Sequence, residues 1–280
     1  MSAWGALPSQ VAGSKPRPLP GIMHLNVTGP SEAPTILFLH AVGTSGWMWE
    51  PIVERLPSSR CLVPDLPGHG GSAAMPWHSL DDTVDRLADL IADHTTDGRA
   101  HVVGLSLGAY AALRLLARHP KRVDRVVLSG LNVLPFPYPR LMRLAGPLML
   151  PLMKRDFFLR AQAKALRIPA ERWEGYRRSA QAMSPRAFLR IGSELMTFGL
   201  DPDLEGAANP TLVLAGEGEQ RLIRQSIPAV VKALPHAEGY LVPGVGHGWS
   251  GEAPDLFART VAAWCEGQAL PAGLKPVDAS

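Results

Sequence analysis

The chain has 280 residues, of which 46% are hydrophobic and 19% are charged. This composition is typical of a globular protein with a sizeable apolar core, and it excludes extensive disorder. The net charge is only +3, and the basic residues are scattered along the chain. We therefore expect no nucleic-acid-binding stripe.

The two ends of the chain differ from the rest in composition. Residues 1–20 are rich in proline, glycine and serine, and residues 268–280 contain further prolines and a glycine, so we predict a flexible lead and a flexible tail. No apolar stretch is long enough to span a bilayer, and the N-terminus lacks the apolar run of a secretory signal. These features predict no integral membrane segment and a cytoplasmic location.

Short apolar runs alternate with helical patterns between these ends. We predict strands at residues 35–39, 61–63, 101–103, 123–128, 211–214 and 239–242. Because consecutive residues in each run are apolar, both faces of the sheet should be covered, as in a parallel sheet between helices. The apolar spacing and the stop signals predict helices at residues 81–94, 107–118 and 254–264. The pattern therefore indicates an open α/β sheet with right-handed crossovers.

Residues 131–208 interrupt this alternation. They contain several helical patterns separated by prolines, and no convincing strand. We predict that they form a helical cap over the carboxyl ends of the strands, where α/β proteins place their ligands. The core of the protein would then comprise residues 21–130 and 209–267.

A Gly-x-Ser-x-Gly pentad occupies residues 104–108, with Ser106 at its centre. It follows a predicted strand and opens a predicted helix, which is the context that a nucleophile elbow requires. The glycines permit a close backbone approach within a strained turn, and the turn raises the serine hydroxyl above the sheet edge. Ser106 is therefore the candidate nucleophile.

Four further segments accompany the pentad in chain order: residues 40–46 (HAVGTSG), 65–72 (DLPGHGGS), 216–219 (GEGE) and 246–247 (GH). Together with the pentad, this ordered set resembles the α/β-hydrolase family. The resemblance covers about residues 20–266 and is strongest to capped members of the esterase and lipase type. It implies a mostly parallel central sheet flanked by helices, with a helical cap inserted after the sixth strand.

The resemblance also implies catalytic roles. Ser106 would attack a carbonyl carbon, and His247 would take the serine proton and later return it to the leaving group. Glu219 aligns with the acid that fixes the histidine tautomer, although this position is usually aspartate in the family. Glu217, two residues earlier, is the alternative acid.

The oxyanion hole implied by the resemblance consists of two backbone N–H groups, those of Val42 and Leu107. The chain has Ala41 where the family usually has glycine, so this position must accept ordinary backbone angles. His40 and His69 lie in matching loops, and we interpret both as hydrogen-bonded structural residues.

Four apolar residues are candidates for substrate binding. Trp47 and Trp249 flank the oxyanion loop and the histidine, while Met149 and Met153 belong to an apolar group in the cap. Adaptable methionine side chains suit an acyl-sized pocket. Packing in the core, or of the cap onto the core, is the alternative interpretation for all four.

The predicted reaction is hydrolysis of a small to medium carboxylic ester through an acyl-enzyme intermediate. Hydrolysis of a carbon–carbon bond, a lactone or a thioester, and cofactor-free perhydrolysis, are alternatives on the same triad, and a non-catalytic ligand receptor is a less favoured one. The expected partner is a small ester with an apolar acyl or alcohol part; the sequence leaves the oligomeric state open. No cofactor is implied, and Cys61 and Cys265 lack metal-site spacing and should be free thiols.

Overall fold

The computed structural model describes residues 22–138, 147 and 150–278. In these residues eight strands form one sheet, in the order β1-β3-β2-β4-β5-β6-β7-β8. The strands are β1 (Leu25–Thr28), β2 (Thr35–Leu39), β3 (Arg60–Pro64), β4 (Ala100–Leu105), β5 (Val123–Ser129), β6 (Thr211–Gly216), β7 (Ala237–Val242) and β8 (Lys275–Pro276). Strands β2 to β7 are parallel, whereas β1 and β8 pair antiparallel at the two edges.

Helices cover both faces of this sheet. The α-helices in the described residues are α1 (Glu50–Val53), α2 (Leu80–His94), α3 (Leu107–Arg118), α4 (Asp156–Ala165), α5 (Trp173–Ala182), α6 (Pro185–Met196), α7 (Arg221–Ala233), α8 (Trp249–Glu252) and α9 (Pro254–Glu266). Helices α2, α3 and α7 contribute to the core cluster on one face, and α1 and α9 to the cluster on the other.

The alternation of side chains along β2 explains why its sequence is apolar throughout. Leu37 and Leu39 belong to one core cluster, while Ile36 and Phe38 belong to the other, and all four are buried. A strand with apolar partners on both faces has no position left for a polar residue. The confirmed parallel sheet therefore follows directly from this pattern.

The helix bounds reflect local capping. The Ser79 side chain accepts a hydrogen bond of 3.0 Å from the Asp82 N–H group at the start of α2, which satisfies one free amide of the first turn. Helix α3 ends at Arg118, just before the His119-Pro120 pair. Helix α9 ends at Glu266 and is followed by Gly267, whose φ of +69° is the left-handed conformation that glycine adopts readily.

The six predicted strands and the three predicted helices are confirmed within a few residues. The edge strands β1 and β8 and helix α7 were not predicted. The described part of residues 130–210 contains α4, α5 and α6 and no strand. Within the described residues this insertion follows β5, the fifth strand of that part of the chain, so its expected position after the sixth strand is not confirmed.

Candidate active site

Ser106 occupies a sharp turn between β4 and α3. Its backbone has φ 55° and ψ −119°, a conformation that costs a non-glycine residue about 1–3 kcal/mol. The flanking glycines make the turn possible. A Cβ atom on Gly104 would lie 2.2 Å from the Gly108 carbonyl oxygen, and one on Gly108 would lie 1.9 Å from the Leu39 carbonyl oxygen. The pentad therefore forms the strained strand–turn–helix geometry of a nucleophile elbow.

His247 and Glu219 form a hydrogen-bonded pair. The distance from His247 Nδ1 to Glu219 Oε2 is 2.7 Å, and the other carboxylate oxygen accepts a 3.2 Å hydrogen bond from the Gly216 N–H group. The Glu219 side chain is fully buried, whereas the His247 side chain is 19% exposed. Since a carboxylate only accepts, Nδ1 carries the proton and Nε2 is free to accept another.

The second glutamate of this loop points elsewhere. Glu217 is exposed and forms a 2.8 Å ion pair with Lys275, which lowers the pKa of the Glu217 carboxyl below its usual value. The structure thus brings Glu219, and not Glu217, into contact with His247.

A third loop passes close behind the imidazole ring. Gly130 follows β5 with φ +70°, and a Cβ atom there would lie 2.9 Å from His247 Cε1 and 3.0 Å from His247 Nδ1. A side chain at this position would push the ring away, so this close approach requires glycine.

Ser106 and His247 line the same cavities, although no hydrogen bond joins their side chains in the described residues. Hydrogen bonds between catalytic groups are often long in a free enzyme and shorten when substrate binds. The elbow and the histidine–carboxylate pair therefore face a common space.

His40 holds the candidate oxyanion loop against the core. It is fully buried, its Nε2 accepts a 2.9 Å hydrogen bond from the Leu66 N–H group, and its Nδ1 donates to the Ala41 carbonyl oxygen at 2.9 Å. Burial lowers the pKa of His40 to about 4, so the ring is neutral at pH 7. In the described residues the left-handed position of this loop is Gly43, with φ +73°, and not Ala41.

His69 and Asp65 are also structural. The His69 ring is buried, and its Nδ1 lies 3.0 Å from the Pro67 carbonyl oxygen. The Asp65 carboxylate accepts hydrogen bonds from the N–H groups of Gly46 (2.7 Å) and Gly71 (2.6 Å), tying two neighbouring loops together.

The two predicted oxyanion donors, Val42 and Leu107, both belong to segments next to Ser106. Val42 lines one of the cavities together with Ser106. Leu107 is the first residue of α3, where a backbone N–H group has no acceptor within the helix and carries the positive end of the helix dipole.

Two cavities extend from Ser106 and His247. One, of about 290 Å³, lies between the oxyanion loop and the cap and is lined by Trp47, Met48 and Ile168 among others. The other, of about 330 Å³, includes Tyr110 and Ile223 in its lining. Apart from Trp47, these lining residues were not predicted, because they lie in elements with no motif.

The four predicted binding residues have different positions. Trp47 lines the first cavity, and its Nε1 donates a 2.8 Å hydrogen bond to Ser179 of α5. Trp249 lies in the core, which corrects its assignment as a pocket wall: it is fully buried, and its ring centroid is 4.4 Å from that of Phe257. Met153 is half-buried in a helical turn at residues 150–153, and Met149 lies outside the described residues.

The described residues contain neither a candidate metal site nor a candidate membrane-spanning helix. No group of three or more histidine, cysteine, aspartate or glutamate side chains there could hold a metal ion. No helix in the same residues is long and apolar enough to cross a membrane.

Comparison with known proteins places the chain in a family. The alpha/beta hydrolase family model matches residues 36–260. A relative from Gibberella zeae, an AB hydrolase superfamily protein, is 28% identical over 251 residues, covering 87% of this chain and 84% of its own. A pimeloyl-(acyl-carrier protein) methyl ester esterase from Nitrosomonas europaea is 28% identical over 245 residues, covering 80% and 92%. The solved structure of a Pseudomonas aeruginosa hydrolase has a TM-score of 0.76 at 21% identity, covering 87% and 94%. The chain belongs to the alpha/beta hydrolase family and is an enzyme of the hydrolase class.

Proposed function

We propose that the chain hydrolyses small to medium carboxylic esters through an acyl-enzyme intermediate on Ser106. The observation that carries the proposal is the strained serine elbow facing the same cavities as the hydrogen-bonded Glu219–His247 pair. An activated nucleophile needs a base within reach and a third group that orients the base.

The proposed reaction has two halves. The Ser106 hydroxyl attacks the ester carbonyl carbon, and His247 Nε2 takes the hydroxyl proton and delivers it to the departing alcohol oxygen. A water molecule then attacks the acyl-serine, gives its proton to Nε2, and the acid leaves as the proton returns to Ser106. Glu219 keeps the Nδ1 proton in place and stabilises the imidazolium that forms in each half.

The developing oxyanion would lie between the two backbone amides. The proposed donors are the Val42 and Leu107 N–H groups, and a removed donor in such a hole typically costs 10²–10³ in kcat. His40 supports this loop, because its buried ring bridges the Ala41 carbonyl and the Leu66 amide.

The substrate class follows from the shape of the space around Ser106. Cavities of about 290 and 330 Å³ both reach the serine, so an ester can place its acyl part in one and its alcohol part in the other. Apolar side chains such as Trp47, Met48 and Ile168 in the first, and Ile223 in the second, favour apolar groups on both sides of the ester bond.

The test compares initial rates on p-nitrophenyl esters from acetate to laurate for the wild type and Ser106→Ala. We expect a rate that depends on Ser106 and has an optimum in acyl chain length. Wild-type rates equal to those of Ser106→Ala on every ester would refute the proposed substrate class.

A further inference from the structure

The end of helix α4 carries a strained residue that the proposed mechanism does not use. Arg167 has φ 53°, and two hydrogen bonds surround it: from its own N–H to the Lys164 carbonyl oxygen (3.2 Å) and from the Ile168 N–H to the Ala163 carbonyl oxygen (2.8 Å). This pattern is a Schellman motif, whose left-handed position is usually glycine. An arginine at this position strains the backbone where glycine would not.

The Arg167 guanidinium reaches from the cap to the loop that carries the histidine. Its Nη1 donates to the Gly244 carbonyl oxygen at 3.2 Å and lies 3.1 Å from a Glu252 carboxylate oxygen. The other oxygen of Glu252 accepts a 2.9 Å hydrogen bond from the Gly246 N–H group. A continuous chain of polar contacts therefore runs from the cap to the residue directly before His247.

The same stretch of the cap packs on glycines of both loops of the histidine–carboxylate pair. A Cβ atom on Gly246 would lie 2.9 Å from Arg167 Cδ, and one on Gly218 would lie 3.1 Å from Arg167 Nη2. A Cβ atom on Gly248 would lie 2.3 Å from the Leu166 carbonyl oxygen. The cap thus contacts the backbone on both sides of the histidine and the residue just before the acid.

We propose that Arg167 is a positioning residue of the cap that, through Glu252, fixes the loop carrying His247. The role of His247 in this statement rests on the proposed function. The dipole of α4 favours a positive charge at this end of the helix, and Lys164 already supplies one in the last turn. Attraction to the dipole therefore does not by itself explain an arginine at position 167.

The decisive variant is Arg167→Gly, which removes the side chain and also relieves the backbone strain. We expect a melting temperature close to that of the wild type, because the relief of backbone strain offsets the lost side-chain contacts. We also expect kcat on a p-nitrophenyl ester to fall at least tenfold with a smaller change in KM, since a small displacement of a catalytic group is costly. The rate of Ser106 labelling by a fluorophosphonate should fall in parallel.

Glu252→Gln tests the relay. Its amide oxygen can still accept from the Gly246 N–H group, but it no longer forms an ion pair with Arg167. We expect an intermediate loss of kcat, and the double variant should lose no more than Arg167→Gly alone, because both changes break one chain of contacts.

Arg99→Ala is the matched control. Arg99 pairs with Asp124 at 2.5 Å and donates to the Val123 carbonyl oxygen at 2.8 Å. It directly precedes β4 and so lies at the amino end of this strand, whereas Ser106 follows the carboxyl end. We expect wild-type kcat and labelling rate. Wild-type kcat and labelling in Arg167→Gly, or losses that only track a fall in melting temperature, would overturn the positioning role.

The two readouts separate this proposal from the proposed function. If Ser106 is labelled but no ester is hydrolysed, the ester proposal fails while the labelling rates still decide the role of Arg167. An absence of Ser106 labelling in the wild type would overturn both.

Discussion

Replacing Glu219 by glutamine should disable the histidine with little change in shape. The Glu219 carboxylate is fully buried, with one oxygen 2.7 Å from His247 Nδ1 and the other 3.2 Å from the Gly216 amide nitrogen. In the variant the side-chain oxygen can keep the Gly216 hydrogen bond, and the NH₂ group then faces Nδ1. Nδ1 must become an acceptor, so the ring proton moves to Nε2. Nε2 can then no longer accept the Ser106 proton.

A wrong tautomer of this kind typically lowers kcat by about 10⁴-fold. At 1.36 kcal/mol per factor of ten, this corresponds to a barrier higher by about 5.4 kcal/mol. The assay is kcat on a p-nitrophenyl ester at pH 8, with the melting temperature measured in parallel to show that the variant folds.

Glu217→Gln is the matched control, because it makes the same chemical change two residues away. Glu217 is exposed and contacts Lys275, so we expect kcat to change less than twofold. A loss below tenfold in Glu219→Gln, or an equal loss in both variants, would refute the reasoning.

Three further predictions follow from strained or buried groups. Burial lowers the pKa of His69 to about 3, so below pH 6.5 the unfolded chain binds a proton that the folded chain does not, and His69 should contribute about 1.6 kcal/mol to the fall in the free energy of unfolding from pH 6.5 to pH 5. His40, whose pKa burial lowers to about 4, should contribute a similar amount. Urea unfolding at the two pH values measures this loss. Gly130→Ala should cost about 1 kcal/mol of stability and lower kcat about 10²-fold, because its Cβ would lie 2.9 Å from His247 Cε1; chemical denaturation and ester kinetics report the two effects. The free energy of unfolding of Ser106→Gly should be about 1 kcal/mol higher than that of Ser106→Ala, because glycine adopts a φ of 55° without strain. Both variants should be inactive.

Each of these predictions has its own control or contrary result. His69→Gln should reduce the loss of stability between pH 6.5 and pH 5, and an unchanged pH dependence would contradict the assignment to His69. Gly273→Ala has the same left-handed strain as Gly130→Ala, with φ +98°, but open space around its Cβ, so only stability should fall. Equal stabilities of Ser106→Gly and Ser106→Ala would show that the elbow stores no strain.

The parallel strands could be predicted because burial on both faces leaves a plain signal in the sequence. Strand β2 is apolar at four consecutive buried positions, and such runs stand out without any tertiary information. The edge strands carry no such signal, since β1 is mostly half-buried and β8 is a two-residue exposed pairing. Helix α7 contains Pro228, which obscures its pattern.

The residues near Ser106 also divide into those that a sequence motif reveals and those that leave no signal in the sequence. Ser106, Glu219 and His247 stand in short motifs whose order along the chain is informative. Trp249 was misassigned because proximity in sequence to His247 does not show which way an indole ring points. Arg167 could not be found from sequence at all, because its significance depends on a left-handed φ and on a contact with Glu252, 85 positions away.

The long connection between β5 and β6 bears on how the protein folds. These strands are hydrogen-bonded neighbours, yet residues 130–210 separate them, whereas residues 217–236 separate the neighbours β6 and β7. Because loop-closure entropy grows as (3/2)RT ln n, pairing β5 with β6 costs about 1 kcal/mol more than pairing β6 with β7. Ser106 follows β4, on the β5 side of this strand pair, whereas Glu219 and His247 follow β6 and β7, on the other side. The entropic cost favours pairing of β5 with β6 after pairing of β6 with β7, so the recovery of activity during refolding reports a late stage of sheet assembly.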